Sequence, residues 1–466
     1  MKKDITNKLG TESVSRLLLN LALPAIIAQL VNMLYNIVDR IYIGHIPGIG
    51  ATALTGVGVT FPIIMIITAF SSLIGMGGAP RAAIKMGEQR DDLAEEILGN
   101  CFTLLIGIAI ILTILFLITG ERLLMMFGAS SETISYGLSY LNIYVAGTIF
   151  VMITLGLNSF ISTQGFSKIS MLTVVIGAVI NIILDPILIF GFNMGVQGAA
   201  IATVISQAVS AIWVFRFMVG EKTKLKIHKK YLKLKKEAII PVLMLGISPF
   251  IMNSTESLLN ISLNASLQKY GGDIAVGAMT ILSSLMQIMF LPLAGLTQGA
   301  QPIISYNYGA KNNERVKETF KLLIMSAMIF SLVLWTLMMI FPKVFVSLFT
   351  KDIELMNITV WAMRIYLGAG VVLGAQIACQ QTFIAIGQAK ISLFLALLRK
   401  IILLIPLIYV LPIFFKDKVF AVFFAEPIAD IIAVTVTVVV FAIQFKKLCL
   451  RIDNMAFEKQ IYRGFL

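Results

Sequence analysis

Long apolar runs alternate with short polar stretches along the whole chain. A helix that crosses a bilayer needs about 20 mainly apolar residues, because each residue advances the helix by about 1.5 Å. The runs meet that length and are too continuous for the alternating ~10-residue strands of a membrane β-barrel. The pattern therefore predicts twelve spanning helices, at about residues 15–44, 53–80, 93–119, 134–162, 169–190, 196–219, 238–268, 274–306, 316–341, 355–385, 391–413 and 419–445.

The composition also points to lipid as the main solvent. Of 466 residues, 58% are hydrophobic and only 13% are charged, and the mean hydropathy is +0.92. Soluble domains carry about 25% charged residues, so this chain has too few to cover a water-facing surface. Backbone groups in lipid must be hydrogen-bonded within the protein, which again favours helices. We expect an all-α membrane protein.

The basic residues are distributed unevenly between the two ends of the predicted spans. With a cytoplasmic N-terminus, 27 Lys and Arg residues fall on the cytoplasmic side and 6 on the outer side. Such a bias sets the orientation of membrane proteins, so we predict cytoplasmic N- and C-termini in a multi-pass protein of the bacterial inner (plasma) membrane. Because the net charge of +13 lies mainly in short loops, we expect no nucleic-acid partner.

One long polar segment, Glu221–Glu237, divides the twelve spans into six and six. We therefore expect an N-terminal lobe at 1–219, a cytoplasmic linker at 220–236, a C-terminal lobe at 237–446 and a cytoplasmic tail at 447–466. The linker contains the basic stretch KTKLKIHKKYLKLKK, which we expect to lie on anionic lipid headgroups. A regulatory or nucleic-acid role for this stretch is the alternative.

The two halves resemble each other at a constant offset of 222 residues. This register pairs Gly77, Pro80, Gly87 and Glu96 with Gly299, Pro302, Gly309 and Glu318. A single register held over separated regions indicates an internal repeat. Because six is an even number of spans, both halves enter the membrane in the same orientation. We expect two six-helix lobes related by a pseudo-two-fold axis along the membrane normal.

Asp185 is the ionisable residue that most strongly suggests a function within a span. Asn181 lies four residues earlier on the same helix face, and Pro186 leaves the carbonyl of Ile182 without its helical donor. A carboxylate, an amide oxygen and a free carbonyl suit a proton or a small hard cation. The alternative is a structural carboxylate paired with a buried arginine.

A polar stripe on the first span ends at Asp39. Asn32, Tyr35, Asn36 and Asp39 recur at three- and four-residue spacing, so they share a face that must meet protein or water. A salt bridge from Asp39 to Arg40 near the headgroups is the alternative, although neighbours on a helix do not face each other. Two nearby carboxylates, Asp39 and Asp185, would favour a shared proton, and their oxygens could equally bind sodium.

Other polar residues within spans carry weaker signals. Asn158 and Thr203 suit either an ion site or interhelical hydrogen bonding. Glu256, in the seventh span, could attract a cationic drug or carry a proton. Four further ionisable residues lie in the last two spans and are expected to pair with one another, with their role left open: Arg399, Lys400, Glu426 and Asp430.

These features resemble the multidrug and toxic compound extrusion (MATE) family over essentially the whole chain. Leu23-Pro24 and Asn36-Ile-Val-Asp39-Arg-Ile-Tyr-Ile-Gly44 match its first-helix pattern, and the details are closest to its MepA-type, DinF-like branch. The resemblance implies export of small-molecule drugs and organic cations in exchange for H⁺ or Na⁺, by a monomer in contact with membrane lipid and without a further cofactor. The cation-coupling residues that it implies are Asp39, Tyr140, Asn158, Asn181, Asp185 and Thr203.

The same resemblance divides the remaining candidates. Na⁺ could bind at Asp39, Asn181 and Asp185, while the stripe residues Asn32, Tyr35 and Asn36 would line the substrate cavity with Glu256. NorM-type members carry a second cation site in the C-terminal lobe, with an acid in helix seven, which Glu256 fits, and an aspartate in helix ten. This chain has Gly374-Ala375-Gln376 there, so the N-terminal site is favoured.

Two other functions, a flippase and an intramembrane enzyme, are alternatives to drug export. A lipid or lipid-linked oligosaccharide flippase of the same superfamily would share this topology but needs several cavity cations for pyrophosphate, and only Arg364, Arg399 and Lys400 are available. An intramembrane enzyme is disfavoured, because both histidines lie in loops and the sequence has no glycine-rich nucleotide loop or Cys/His cluster. We expect a transporter driven by an ion gradient.

Overall fold

The computed structural model describes residues 8–464, with the side chains of Ser257 and of residues 448–464 outside the description. Within that range the chain forms helices joined by short turns. The predicted tail at 447–466 lies mostly outside the described side chains.

The first half of the chain forms spans 1 to 6. Its helices are α1 (Val14–Gly44), α2 (Gly50–Gly58), α3 (Phe61–Gly87), α4 (Asp91–Met126), α5 (Ile134–Ala146), α6 (Thr148–Thr163), α7 (Ser167–Pro186) and α8 (Gly195–Val219). Span 2 is α2 with α3, and span 4 is α5 with α6. Span 5 is α7 continued by a π-helix, Ile187–Gly191.

The second half forms spans 7 to 12. Its helices are α9 (Lys236–Gly309), α10 (Asn313–Ile340), α11 (Pro342–Ser347), α12 (Ile353–Tyr366), α13 (Leu373–Ala385), α14 (Ala389–Leu397), α15 (Ile405–Phe414) and α16 (Lys418–Gly464). Span 10 is α12 with α13. Span 11 is α14 and α15 joined by a second π-helix, Leu398–Leu404.

The number of spans follows from how two bent helix pairs are counted and from a break in α9 at one glycine. Nine of the described helices are long and apolar enough to cross a membrane, and the total is eleven when each sharply bent pair is one span. The 74 residues of α9 would extend about 110 Å as one helix, far beyond a bilayer about 30 Å thick. Gly272 breaks it with φ 63° and ψ −163°, a backbone that glycine adopts readily, which brings the total to the predicted twelve.

The internal repeat is visible in the backbone. Span 4 bends by 56° and span 10, its counterpart, by 53°. Gln89 and Lys311 are 222 residues apart and both have positive φ, at 62° and 58°. Gly165 and Gly387 form another such pair, at 89° and 77°. Equivalent sequence positions therefore adopt equivalent turns in the two six-helix lobes.

The lobes pack against each other at the end that carries the linker. A Cβ on Gly87 would lie 2.0 Å from the carbonyl oxygen of Tyr306, and a Cβ on Gly309 would lie 2.0 Å from that of Ile84. Because Gly87 and Ile84 correspond to Gly309 and Tyr306 in the repeat, this contact is reciprocal about the pseudo-two-fold axis. Only glycine allows the two backbones to approach so closely.

The interface becomes polar near the middle of the spans. Asn253 Nδ2 donates to Ser72 Oγ at 3.0 Å, and Gln29 Nε2 lies 3.4 Å from Gln298 Oε1. Farther from the linker, polar side chains on the facing helices are exposed, including Asn32 and Glu256. Polar groups at that depth avoid lipid, so they face a cleft that opens away from the linker.

The linker docks on the N-terminal lobe. Three acidic residues at the start of α4 contact it: Asp91 forms an ion pair with Lys224 at 2.8 Å, Glu96 forms one with Lys235 at 2.8 Å, and the Glu95 carboxylate lies 3.4 Å from His228 Nε2. The hydrogen bond to Glu96 raises the pKa of Lys235. Carboxylates of the protein are thus within reach of these three residues, and the expectation that the linker's basic residues lie on lipid headgroups stays a prediction.

Candidate functional site

The strongest polar cluster of the N-terminal lobe lies where α1, α5, α7 and α8 meet. Asn181 Nδ2 donates to Asp185 Oδ1 at 3.2 Å and lies 3.4 Å from Thr203 Oγ1 on α8. The four-residue spacing on α7 places Asn181 and Asp185 on one helix face, as the sequence predicted. Their side chains are fully shielded from solvent, with Asp185 at 0% exposure and Asn181 at 2%.

Two further helices complete this cluster. The carboxyl group of Asp39 on α1 lies close enough to that of Asp185 for the two to interact electrostatically. From α5, the buried side chain of Tyr140 lies near Asp39 and Thr203. The structure thus joins five of the six predicted coupling residues, which we name the N-lobe cluster: Asp39, Tyr140, Asn181, Asp185 and Thr203.

Three oxygens of the N-lobe cluster are buried without a hydrogen-bond partner: Asp39 Oδ1, Asn181 Oδ1 and Asp185 Oδ2. In the described part of the chain no salt bridge reaches either carboxylate, and the guanidinium of Arg40 instead lies 5.5 Å from the Phe61 ring centre. Buried acceptors without partners are costly. Their arrangement suits a proton or a hard cation bound by carboxylate, amide and hydroxyl oxygens.

The side chains that the structure describes include no group of three or more His, Cys, Asp or Glu placed to hold a metal ion. A sodium ion would therefore depend on the amide of Asn181 and the hydroxyl of Thr203 as well as on the two carboxylates. Both oxygen types are hard ligands, so the residues present fit such an ion.

Two predicted residues lie apart from the N-lobe cluster. Asn158 donates to the carbonyl of Ser170 at 3.2 Å. Because Ser170 precedes Asn181 by eleven residues on α7, Asn158 lies roughly 16 Å away along the helix axis. Asn36 is exposed and donates to the carbonyl of Asn32 at 2.6 Å, within its own helix.

A cavity with about 410 Å³ of empty space adjoins the N-lobe cluster. Asn181 and Thr203 form part of its wall, and Asn32 and Tyr35 of the predicted substrate cavity form another part. The cavity extends towards the linker along α6, α7 and α8, where Thr154 Oγ1 donates to the carbonyl of Gln207 at 3.3 Å. Ion candidates and substrate candidates therefore share one space.

The C-terminal lobe holds a cluster of opposite design. Arg399 pairs with Asp430 at 2.6 Å and with Glu426 at 2.9 Å, which confirms the expected pairing between spans 11 and 12. Lys400 instead pairs with Glu256 and donates to the carbonyl of Met252 at 2.9 Å. The expectation that Lys400 pairs with Glu426 or Asp430 was therefore wrong. We name these five charged residues the C-lobe cluster.

A second cavity, with about 350 Å³ of empty space, lies beside the C-lobe cluster. Arg399 and Lys400 line it together with apolar side chains of α9, α13 and α14. Gln376 also lines it, and its Oε1 is buried without a partner. The amide of Gln376 thus lies in the part of helix ten where NorM-type members carry an aspartate.

A family model, MatE, matches residues 24–187 and 249–410, one segment in each lobe. The chain belongs to the MatE family. Multidrug export protein MepA of Staphylococcus haemolyticus is 26% identical over 401 residues, covering 86% of this chain and 87% of that protein. MepA of Staphylococcus aureus (strain NCTC 8325 / PS 47) is also 26% identical, covering 85% and 87%.

A solved structure shows the MatE fold in full. The crystal structure of MATE in the bent conformation has a TM-score of 0.91 to this chain, at 22% identity, and covers 97% of this chain and 100% of that chain. The predicted family is confirmed, as is the predicted fold of twelve helices in two lobes. This chain is a multi-pass membrane protein.

Sequence reasoning missed two features of the site in this MatE protein. Tyr144 is buried and stacks on Tyr140, with ring centres 6.1 Å apart. At the offset of 222 it corresponds to Tyr366, and this repetition of a tyrosine was a usable signal. The second feature is the π-helix Ile187–Gly191 after Pro186, a form often found at functional sites. Proline alone predicts a disturbed helix but not which helical form follows it.

Proposed function

We propose that this protein exports hydrophobic, often cationic, small molecules in exchange for a coupling ion. The observation that carries the proposal is the N-lobe cluster. Three of its buried oxygens lack hydrogen-bond partners, and the cluster adjoins a cavity that is also lined by residues of the predicted substrate cavity. A carboxylate in such a setting binds and releases a cation as its solvation changes. The export activity named for the MepA relatives supports the same assignment.

We propose that substrate and coupling ion are exchanged by alternating access, in which the cavity opens to one side of the membrane at a time. The close glycine contacts at the linker end and the cleft at the other end are consistent with one of two rocked states of the lobes 1–219 and 237–446. With cytoplasmic termini and a cytoplasmic linker at 220–236, the cleft faces outward. We expect a monomer, because one chain contains both lobes and both cavities.

We favour H⁺ over Na⁺ as the coupling ion. Asp39 and Asp185 lie close enough to interact, and two carboxyl groups so placed in an apolar bundle are best accommodated when they share a proton. A proton on Asp185 would also remove a charge from the helix next to Pro186 and Ile187–Gly191, which lets this segment repack and reshapes the cavity wall.

A flippase function receives less support from the C-lobe cavity. Pyrophosphate recognition needs cations that are free to bind phosphate oxygens. Arg399 is held by two carboxylates and Lys400 by Glu256, so neither offers an unopposed positive charge.

The test is ethidium efflux from proteoliposomes driven by one gradient at a time. We expect efflux when a pH gradient is imposed at equal sodium, and none when sodium is imposed at equal pH. Efflux on sodium alone would replace the proton with sodium and leave the export function intact. Absence of efflux on both gradients, with folded protein in the liposomes, would overturn the antiport proposal.

A further inference from the structure

The five side chains of the C-lobe cluster do not balance in charge. Glu256, Glu426 and Asp430 supply three carboxylates, whereas Arg399 and Lys400 supply two cations. Tyr366, buried at 5% exposure on α12, is the other titratable side chain that faces the group, and it is neutral in its usual form. With every acid ionised, the C-terminal lobe would hold one surplus negative charge in the interior of the membrane. Such a charge is expensive without a compensating cation.

Burial and hydrogen bonding indicate which of the three acids is least able to hold its negative charge. Glu256 has a 53% exposed side chain, so water in the cleft can solvate it. Glu426 is only 3% exposed; Arg399 binds its Oε1, and its Oε2 is buried without a partner. Asp430 takes the shorter bond to Arg399, at 2.6 Å. Glu426 is therefore the acid least able to carry a full charge.

We propose that Glu426 is a second proton site of this transporter, and that the proton there exchanges with the positive charge of a substrate bound next to Glu256. In the empty state the proton on Glu426 brings the C-lobe cluster to neutrality. When a cationic substrate settles beside the exposed carboxylate of Glu256, its charge compensates the cluster and the proton leaves to water in the cleft. This step rests on the proposed export function and adds a binding site to it.

The geometry provides a path between the two acids. Arg399 and Lys400 are consecutive residues of the π-helix Leu398–Leu404, and they reach opposite partners: Arg399 contacts Glu426, while Lys400 contacts Glu256. A positive charge added beside Glu256 therefore changes the electrostatic potential at Glu426, because the two acids are linked by adjacent cations in a region of low dielectric constant. The cavity lined by Gln376 and Phe290 also borders Lys400, the partner of Glu256, and gives an apolar substrate body a place to bind.

The test measures protons released on ligand binding to the purified full-length protein in weakly buffered detergent solution. The probes are tetraphenylphosphonium, a lipophilic cation without a titratable group, and the uncharged triphenylphosphine oxide. For the unaltered protein we expect about one more proton released per bound cation than per bound neutral compound, since the binding of charge and protons is linked. Equal release for both probes would overturn the proposal.

Glu426→Gln keeps the side-chain shape and the Arg399–Asp430 pair but removes the surplus acid. It should bind both probes and release equal numbers of protons for each. Glu256→Gln removes the same surplus from the exposed end and should give the same result, which covers the case that one variant folds poorly. If either folded variant still shows the extra proton, Glu426 is not the site.

A double substitution separates this site from the N-lobe cluster. Asp39→Asn/Asp185→Asn should keep the extra proton released by the cation even if export stops, because the C-lobe cluster is untouched. Infrared spectra add an independent signal: one band of a buried protonated carboxyl group should remain in the double variant, and this same band should disappear in Glu426→Gln, where the N-lobe carboxyl groups keep their own. Its loss in the double variant alone would overturn the C-lobe assignment and leave the proposed antiport standing.

Discussion

The two lobes share a frame and differ in how they treat charge. In the N-terminal lobe Asp39 and Asp185 are close together, and in the described part of the chain no salt bridge reaches either. In the C-terminal lobe Glu426 and Asp430 share Arg399, and Glu256 is paired with Lys400. Uncompensated carboxylates suit an ion that comes and goes, whereas in the C-terminal lobe the two cations hold all the acids but one in compensated pairs.

The repeat shows how few positions carry this difference. At the offset of 222, Asn181 and Asp185 correspond to Leu403 and Leu407, which cannot bind a cation. In the other direction, Arg399 and Lys400 correspond to Gly177 and Ala178. A Cβ on Gly177 would lie 2.7 Å from Ser210 Oγ, so this position in the N-terminal lobe is closed by packing. Equivalent spans therefore hold charge at different heights in the two lobes.

The largest effect is expected when the charge of one N-lobe carboxylate is removed, since this tests whether the N-terminal lobe binds the coupling ion. Asp185→Asn keeps the size of the side chain but removes the group that binds a cation or proton. We expect ion-driven ethidium efflux in liposomes to fall to background, and Asp39→Asn to do the same. Size-exclusion profiles of the detergent-solubilised protein check that both variants remain folded.

Thr119→Ala is the matched control in the same lobe. Thr119 has no part in the predicted site, and its hydroxyl donates to the carbonyl of Leu115 within its own helix at 2.7 Å, so its loss leaves the N-lobe cluster intact. It should retain most of the efflux. Full efflux by both aspartate variants would show that the N-lobe cluster is not the coupling site.

The next largest effect is expected on stability, in the C-terminal lobe. Arg399→Gln leaves Glu426 and Asp430 buried without their cation, and breaking a buried pair in this way costs about 3–5 kcal/mol. Lys400→Gln should cost less, because its partner Glu256 is 53% exposed and water can solvate it. Thermal unfolding of the two variants in detergent measures the difference. A smaller loss for Arg399→Gln than for Lys400→Gln would contradict this order.

Much of the architecture follows from local sequence signals. Apolar length fixed the number of spans, since every predicted run corresponds to a helix or a bent pair. A constant offset predicted the repeat that Gln89 and Lys311 display in their backbone. The i, i+4 spacing of Asn181 and Asp185 placed them on one face of α7, because such pairs depend on one helix alone.

Contacts between helices were harder to predict. Lys400 follows Arg399 directly, yet the π-helix directs it to Glu256 on α9 rather than to α16. Asn158 has the residue type and depth of an ion ligand, but its helix meets α7 near Ser170. Both outcomes depend on helix rotation and on crossing positions, which the spacing within a single helix does not contain.

The smallest effect concerns the linker, which docks on one lobe only. Gln164 Oε1 accepts hydrogen bonds from Thr223 Oγ1 at 2.9 Å and from the backbone N–H groups of Lys224 and Leu225 at 3.0 and 2.8 Å. Its counterpart in the repeat is Ile386, which is buried and has no side-chain acceptor. Gln164 therefore distinguishes the lobe that holds the linker from the lobe that does not.

Gln164→Ala should loosen this docking without affecting the spans. Because Leu225 is fully buried, its N–H would lose its partner at a cost of about 1–3 kcal/mol. Hydrogen exchange at residues 223–226 should accelerate by about ten- to hundredfold, while the core of α7 keeps its protection. Lys235→Gln serves as the control, since its ion pair with Glu96 is half exposed and should change exchange little. If Gln164→Ala left exchange at 223–226 unchanged, the ion pairs to α4 rather than this amide would hold the linker, and the difference between the lobes would be one of surface charge.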